Sequence, residues 1–435
     1  MNNNLSVFWF RRDLRLHDNH GLFKALFSSK KVLAVFIFDP SILNNLNEDD
    51  RRVSLIFDRL QELNQELSFY GSKISIFFGE PVDVFSELFS HHKIDAVFAN
   101  KDYEPYAIKR DLAVEKKIKD FGASFHSFKD QLIFEQDEVL SDSQKPYSVY
   151  THYMNKWMSK FRISLTIPYL SQDFLPKLIS DDKLEQVESV EQMNFIHQKV
   201  RLLKPRLDHD ILHYYNENRD SIEKDGATHI SVHLRFGLLS IREVAKLAFQ
   251  YSESLLKELI WRSFFSQILW HNPHVVDKCY KSKYDKLKWS NDKNLFMKWK
   301  YGQTGFPIVD AGMRELFDTG LMNNRVRMLT ASFLVKNLGV DWRLGEAYFA
   351  TKLLDFDLAS NNGNWQWVAG TGSDSAPYFR VFNPETQQKK FDPNFVYCKR
   401  WLHEMDELGN YSVKKIADLK SSRLDALERY KAIDR

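Results

Sequence analysis

A chain of 435 residues is longer than one ordinary hydrophobic core requires, so we expect two domains and a connecting segment. Its two cysteines, Cys279 and Cys398, are too few for a disulfide framework or a cysteine-rich metal site, and we expect no bound metal. The net charge of +3 neither requires nor excludes a nucleic acid, so a DNA-binding surface would have to come from local clusters of basic residues.

No run of about 18 apolar residues occurs in the sequence, and we expect no membrane-spanning helix. The first residues, MNNNLSVFWFRRDLR, lack a basic stretch followed by a long apolar one, which argues against a signal peptide. Together with the scarcity of cysteine, these patterns predict a cytoplasmic protein of a reducing compartment.

The first 130 residues alternate short apolar runs with amphipathic segments of helical length, such as Arg51–Tyr70 and Pro81–His91. Four of the runs are rich in Val, Ile and Phe and predict buried strands, namely Ser6–Phe10, Val32–Phe38, Ile74–Phe78 and Ile94–Ala99. This order predicts an α/β domain over residues 1–130, with a Rossmann-like parallel sheet covered by helices on both faces. Arg11-Arg12-Asp13 follows the first strand in place of G-x-G-x-x-G, so a dinucleotide site there is unsupported.

Residues 131–195 contain Pro146, Pro168 and Pro176 among polar patches, which predicts a linker between the domains with short helices. From residue 196 onward, apolar residues recur at three- and four-residue spacing, as in Leu255–Leu269 and Arg325–Leu338. We therefore expect an all-helical domain over residues 196–435.

Two segments of this second half are distinctive. One is KELIWRSFFSQI at Lys257–Ile268; the other, within residues 304–384, contains TGFPIVDAGMRELFDTGLMNNRVRMLTASFLVKNLGVDWRLGEAYF and LLDFDLASNNGNWQWVAGTGSDSAPYFRVFNP. Both closely resemble the FAD-binding helical domain of the DNA photolyase and cryptochrome family, and FWFRRDLRLHDNHGL near the N-terminus resembles its α/β domain. The resemblance is strongest to class I cyclobutane pyrimidine dimer photolyases, and it implies a bound FAD and a lesion flipped out of the duplex to reach it.

The resemblance places eleven positions against FAD: Tyr215, Thr228, His229, Ile230, Ser231, Arg262, Arg327, Asp355, Phe356, Asp357 and Asn361. The ATHIS stretch at residues 227–231 would hold the phosphates at the start of a helix, where free N–H groups donate. Without the family, Thr228 and Ser231 are equally well read as helix caps.

Three of these positions have alternatives that stay open. Arg327 and Asp355 match an ion pair beside the flavin ring, although the same pair would serve as a plain structural salt bridge. Asn361 matches the amide next to flavin N5, where it tunes the cofactor, whereas Asn361-Asn362-Gly363 alone would be a helix-ending turn.

Glu258, Trp261 and Arg262 share one helix face, and by spacing alone Arg262 could simply pair with Glu258. The resemblance implies instead that Glu258 is catalytic and binds pyrimidine carbonyls, while Trp261 and Trp367 stack on the flipped lesion. The remaining substrate and DNA positions implied by the family are Asn324, Met328, Arg219 and Arg325.

Trp289, Trp342 and Trp365 match the family's tryptophan triad, which carries electrons between the surface and the flavin. Outside the family, three tryptophans in a helical domain would be packing residues. A separate basic run, Lys278 to Lys288, fits either a DNA contact or a solvated face.

As a whole, the resemblance implies light-driven repair of cyclobutane pyrimidine dimers in UV-damaged DNA by a monomer, through electron transfer from excited, reduced FAD to the flipped-out lesion. The alternatives are a blue-light photoreceptor of the cryptochrome type and a (6–4) photolyase. Residues 323–328 contain none of the histidines typical of (6–4) enzymes, which argues against a (6–4) photolyase. The long tail expected of a photoreceptor does not follow Trp367 in this sequence, which argues against that alternative. Because NKDYEPY at Asn100–Tyr106 resembles an antenna region, we also expect a possible second chromophore of the folate or deazaflavin type.

Overall fold

The computed structural model describes residues 5–181, 183–290 and 292–433. Contacts along the chain divide it into two compact units, each assembled from separate stretches of sequence. The first contains Met1–Glu138, Lys160–Pro205 and His229–Leu247, and the second contains Val139–Ser159, Arg206–Thr228 and Ala248–Arg435. The domain boundaries near residues 130 and 195 stay a prediction.

The first unit is built on a parallel sheet whose strands are β1 (Leu5–Phe10), β2 (Lys31–Phe38), β3 (Ser75–Phe78), β4 (Ala96–Asn100), β5 (Ser124–Phe128) and β6 (Leu178–Ile179). The order is β3-β2-β1-β4-β5, with β6 paired to the first residues of β2. In β1, Val7 to Phe10 are almost fully buried, because helices cover a parallel sheet on both faces. The expected α/β fold with a parallel sheet is confirmed.

The helices of both units begin and end as follows: α1 (His20–Ser28), α2 (Pro40–Leu43), α3 (Arg51–Ser68), α4 (Pro81–His91), α5 (Pro105–Asp120), α6 (Tyr150–Lys160), α7 (His209–His213), α8 (Tyr215–Asn218), α9 (Ser231–Arg235), α10 (Ile241–Tyr251), α11 (Glu253–His271), α12 (Lys293–Lys300), α13 (Pro307–Thr319), α14 (Asn324–Ser332), α15 (Trp342–Lys352), α16 (Leu358–Ala369), α17 (Pro384–Phe391), α18 (Val396–Trp401) and α19 (Leu419–Lys431). Short 3₁₀ helices span Ile163–Thr166, Ser171–Lys177, Val190–Met193, Pro273–Val276 and Ser282–Lys286. None of the helices within these described residues is long and apolar enough to cross a membrane.

A buried ion-pair network joins distant parts of the first unit. Arg242, on α10, binds Asp18 at 2.8 Å and Asp130 at 2.7 Å, and Arg15 binds Asp130 at 2.6 Å. Although burial opposes ionisation, Arg15 and Arg242 hold the pKa of Asp130 below its usual value. Buried carboxylates need such partners, so α10, which carries Arg242, contributes to the stability of the α/β unit.

The second unit is a helical assembly around one large apolar cluster. Within it α16 packs against α11, α14 and α15, and two glycines allow the close approach. A Cβ atom on Gly363 would lie 2.1 Å from the Phe265 ring of α11, and one on Gly345 would lie 2.2 Å from the Trp365 ring. The expected helical domain is therefore confirmed, with α16 held tightly at its centre.

One predicted helix has an unexpected shape. The segment Arg325–Leu338 was expected to be continuous, but α14 ends at Ser332 and a single π-helical turn follows at Phe333–Asn337. Apolar spacing does not distinguish the two because both bury the same side chains, and all of residues 333–337 are buried. The π turn contains Lys336, which is 1% exposed.

Candidate functional site

The ion pair predicted between Arg327 and Asp355 is present in the second unit. Arg327 on α14 donates to Asp355 Oδ2 at 2.8 Å and to the Met322 carbonyl at 2.8 Å. The side chain of Asp355 is 5% exposed, and its second oxygen, Oδ1, is buried with no hydrogen-bond partner. A buried carboxylate oxygen without a donor is costly, so this position fits a ligand that presents N–H or O–H groups to it.

Asn361 lies in the first turn of α16, behind the N-cap Asp357, which accepts from the Ser360 N–H at 3.0 Å. The alternative of a helix-ending turn at Asn361-Asn362-Gly363 is therefore wrong. The Asn361 amide nitrogen donates to Glu346 twice, at 3.1 Å to its carbonyl and at 2.8 Å to its carboxylate. Burial raises the pKa of Glu346, and the hydrogen bond from Asn361 opposes that shift.

Glu258 on α11 forms an ion pair with Arg219, which directly follows α8. The spacing in the sequence pointed to Arg262 as a partner, and the ion pair that the structure shows comes from Arg219 on a different segment. Burial raises the pKa of Glu258, and the charge of Arg219 partly offsets this. Burial and the nearby charge of Glu258 also raise the pKa of Tyr215 to about 12. Tyr215, a predicted FAD contact, therefore lies close to Glu258, the predicted catalytic carboxyl.

Trp261 lies one turn after Glu258 on the same helix, and its ring stacks face to face on Tyr150 of α6, with centroids 3.5 Å apart. Tyr150 was missed because it falls in the stretch predicted to be a linker. A signal was available in the spacing of Tyr147, Tyr150 and Tyr153, which is typical of an aromatic helix face.

The predicted DNA contacts are engaged with acidic neighbours. Arg325 forms an ion pair with Asp220, and its guanidinium lies over the Phe391 ring at 4.8 Å. Asp220 directly follows Arg219, the residue that binds Glu258. Asn324, at the exposed start of α14, approaches the sulfur of Met328 at 3.8 Å. Trp367 is half-buried near the end of α16, and the lysines from Lys278 to Lys288 lie on the surface.

The three tryptophans predicted to carry electrons belong to one apolar environment. Trp342 and Trp365 are buried in the central cluster of the second unit, and Trp289 packs against it half-buried. Trp299 was not predicted and lies 6.2 Å from Trp365, ring to ring. Burial of this kind is what packing requires, so the role in electron transfer stays a prediction.

The ATHIS stretch, residues 227–231, leads into α9, whose first residue is Ser231. The N-cap of α9 is Ile230 and receives no side-chain hydrogen bond, so the alternative that Thr228 and Ser231 are caps is wrong. His229 has a left-handed backbone with φ of +54°, and Thr228 is buried. Phe356 packs against the central cluster beside Asp355.

Known proteins share this architecture and sequence. Residues 255–432 match the family described as the FAD binding domain of DNA photolyase, and residues 6–176 match the family described as DNA photolyase. A protein of Synechococcus sp. named deoxyribodipyrimidine photo-lyase is 36% identical over 426 residues, which is 92% of this chain and 88% of the relative.

Two solved structures extend the comparison. The archaeal photolyase from Sulfolobus tokodaii, described with two FAD molecules, is 36% identical with a TM-score of 0.85, covering 98% of this chain and 100% of that one. The Synechocystis cryptochrome is 25% identical with a TM-score of 0.86, covering 98% and 99%. With relatives this similar along nearly their whole length, the chain belongs to the DNA photolyase family and contains that family's FAD-binding domain.

Proposed function

We propose that this protein repairs cyclobutane pyrimidine dimers in DNA in a light-dependent lyase reaction. The observation that carries the proposal is the half-buried Glu258 carboxyl, paired with Arg219 and one helical turn from the stacking ring of Trp261. A pyrimidine offers carbonyl acceptors, an N–H donor and a flat face, which match the cation of Arg219, the carboxyl of Glu258 and the indole of Trp261, in that order. The name of the Synechococcus relative, deoxyribodipyrimidine photo-lyase, supports the same substrate.

FAD, when bound and reduced, supplies the light-driven electron that opens the cyclobutane ring. The residues of the second unit that would hold it are the Arg327–Asp355 pair, Asn361, Tyr215 and Arg262. The unpartnered Asp355 Oδ1 supports this assignment, because a donor on the cofactor would satisfy it. Asn361 has its amide nitrogen engaged with Glu346, which leaves its carbonyl oxygen to meet the cofactor.

This chain's own residues bind and orient the lesion. A protonated Glu258 can donate to a pyrimidine carbonyl, and partial burial raises the pKa of Glu258 toward that neutral form, against the charge of Arg219. Arg219 can leave Glu258 for a phosphate or carbonyl of the DNA, because both are better partners for an arginine than a protonated acid is. Trp261 and Trp367 would then cover the flipped bases and exclude water.

A photoreceptor function is the second candidate, since the Synechocystis cryptochrome shares the fold. The Glu258, Trp261, Asn324 and Met328 set favours repair, and the absence of histidine at residues 323–328 favours cyclobutane dimers over the (6–4) photoproduct. The Sulfolobus structure, with its two FAD molecules, adds a flavin to the folate and deazaflavin types as candidates for a second chromophore in this protein.

The test uses the full-length protein with bound, reduced FAD and a short duplex that contains one thymine dimer. We expect loss of the dimer under blue light and none in the dark. Glu258→Ala should lower the yield while FAD stays bound, and Glu253→Ala, an exposed acid on the same helix, should not. Absence of repair with the flavin bound and reduced would overturn the proposal, and repair of a (6–4) photoproduct instead would identify the other lesion class.

A further inference from the structure

The loop after α16, residues 370–378, has both of its ends attached to one buried side chain. Lys336 Nζ, from the π turn, donates to the Ala369 carbonyl at 2.9 Å and to the Tyr378 carbonyl at 3.4 Å. The Tyr430 hydroxyl of α19 donates to the same Ala369 carbonyl. The last carbonyls of a helix lack partners within the helix, and a cation there also meets the negative end of the helix dipole.

The middle of the same loop contacts the proposed substrate pocket. Asp374 accepts from the Tyr150 N–H at 3.0 Å, and the Ser373 hydroxyl donates to the Ser148 carbonyl at 2.6 Å. Tyr150 opens α6, and its ring stacks on Trp261. A displacement of the loop would therefore move the start of α6 and, with it, the ring on which Trp261 rests.

We propose that Lys336 is a positioning residue of the substrate pocket, which clamps both ends of the 370–378 loop and so fixes the Tyr150–Trp261 stack. The link to the substrate rests on the proposed function, because only that function assigns Trp261 to the lesion. The clamp itself is independent of it.

The surroundings of Lys336 make the clamp sensitive to pH. Its Nζ lies 3.9 Å from the centroid of the Tyr430 ring, and its two acceptors are neutral carbonyls. The titratable groups that face it are Arg429 and Tyr430 of α19 and Tyr378 of the loop. Burial, with a contribution from Arg429, lowers the pKa of Lys336 to about 7. Because burial disfavours the charged amine, opening of the loop to water would raise its pKa again, so the closed loop becomes more stable as the pH rises through 7, and the neutral amine still donates to both carbonyls.

The decisive measurement is hydrogen exchange of the loop amides that donate back to α16, which are those of Gly370, Thr371, Gly372 and Ala376. Exchange is followed by mass spectrometry from pH 6 to pH 8.5 and corrected for intrinsic rates, in wild type, Lys336→Met and the control Lys352→Met. Lys352 also lies over an aromatic ring, that of Phe317, but on α15. At pH 6 we expect about ten-fold less protection in Lys336→Met, as for an interaction worth about 1.4 kcal/mol, and at pH 8.5 a difference at least as large.

Equal protection in wild type and Lys336→Met at pH 6 would overturn the clamp, as would a difference that shrinks as the pH rises to 8.5. Should Lys336→Met fail to fold, the wild type alone decides, because its loop protection must rise relative to α13 as the pH passes 7, and a fall would overturn the clamp.

The second readout is binding of the dimer-containing duplex in the dark. We expect Lys336→Met to bind about five-fold more weakly than wild type at pH 6 and Lys352→Met to bind as tightly as wild type. Unchanged binding with reduced loop protection would overturn the link to the pocket while the clamp stands. A protein that repairs no dimer but shows the exchange pattern would retain the clamp and lose the proposed function.

Discussion

Tyr150 and Trp261 lie face to face, with an angle of 3° between their ring planes. The Tyr150 hydroxyl also donates to the Lys257 carbonyl at 2.9 Å, so the tyrosine is attached to α11 both by its ring and by its tip. One face of Trp261 is thus covered by protein. A pyrimidine that stacks on Trp261 therefore has to use a part of the indole ring that Tyr150 does not cover.

Replacing Tyr150 should separate the stack from the hydroxyl contact. Tyr150→Ala should weaken dark binding of a dimer-containing duplex about five-fold, because an aromatic pair is worth about 1 kcal/mol. Tyr150→Phe keeps the ring and should stay close to wild type. Fluorescence anisotropy with a labelled duplex measures both, and equal affinity of Tyr150→Ala and wild type would mean that packing within α11 alone holds Trp261.

Repair should depend on the protonation of Glu258. At saturating DNA the yield per absorbed photon is expected to fall as the pH rises, since only the protonated carboxyl can donate to a pyrimidine carbonyl. Burial raises the pKa of Glu258, so the fall should begin above the ordinary range of a glutamic acid. Glu258→Gln keeps a donor at every pH and should flatten the profile, while Glu253→Gln should follow wild type. A flat wild-type profile would contradict the donor role.

The Arg327–Asp355 pair should matter for both stability and cofactor. Asp355→Ala leaves a partly buried guanidinium without its carboxylate, and we expect a loss of about 3 kcal/mol in the free energy of unfolding. The ratio of bound flavin to protein, read from absorbance, should fall as well. Glu404→Ala breaks the more exposed pair with Arg314 and should cost about 1 kcal/mol or less with full flavin content. Normal flavin content in Asp355→Ala would contradict the assignment of this pair to the cofactor site.

The approach of α16 to α11 depends on Gly363. Gly363→Ala places a methyl group 2.1 Å from the Phe265 ring, and we expect a loss of about 2 kcal/mol in the free energy of unfolding. Phe265→Leu added to Gly363→Ala should recover part of this loss, because the branched chain can turn away from the new methyl. Urea denaturation of the two variants measures the difference, and no recovery would point to the backbone of α16 as the source of the loss.

The sequence predicted those parts of the fold that depend on local pattern. The first four strands follow from their Val, Ile and Phe content, and Leu255–Leu269 lies within α11. Strand β5, SFHSF, was not predicted because its side chains are partly exposed and no apolar run marks it. The π turn that carries Lys336 was missed because helical spacing continues unchanged through it.

At the candidate site, residue types were predicted better than partners. The Arg327–Asp355 pair is present, yet Glu258 binds Arg219, which is 39 positions away, where i, i+4 spacing pointed to Arg262. The contacts of Asn361 with Glu346 and of Trp261 with Tyr150 also join segments far apart in sequence. Such contacts depend on how the helices pack, which local spacing does not encode.

The Arg242 network has a consequence for how this protein is made. Arg242 joins carboxylates 224 and 112 positions away, Asp18 and Asp130 respectively, so the α/β unit is complete only after most of the chain before α11 has been synthesised. A nascent chain that ends before α10 would hold two buried acids without their shared cation. Contacts between such distant positions are typical of slow folding, and the early chain is where assistance by chaperones would have its largest effect.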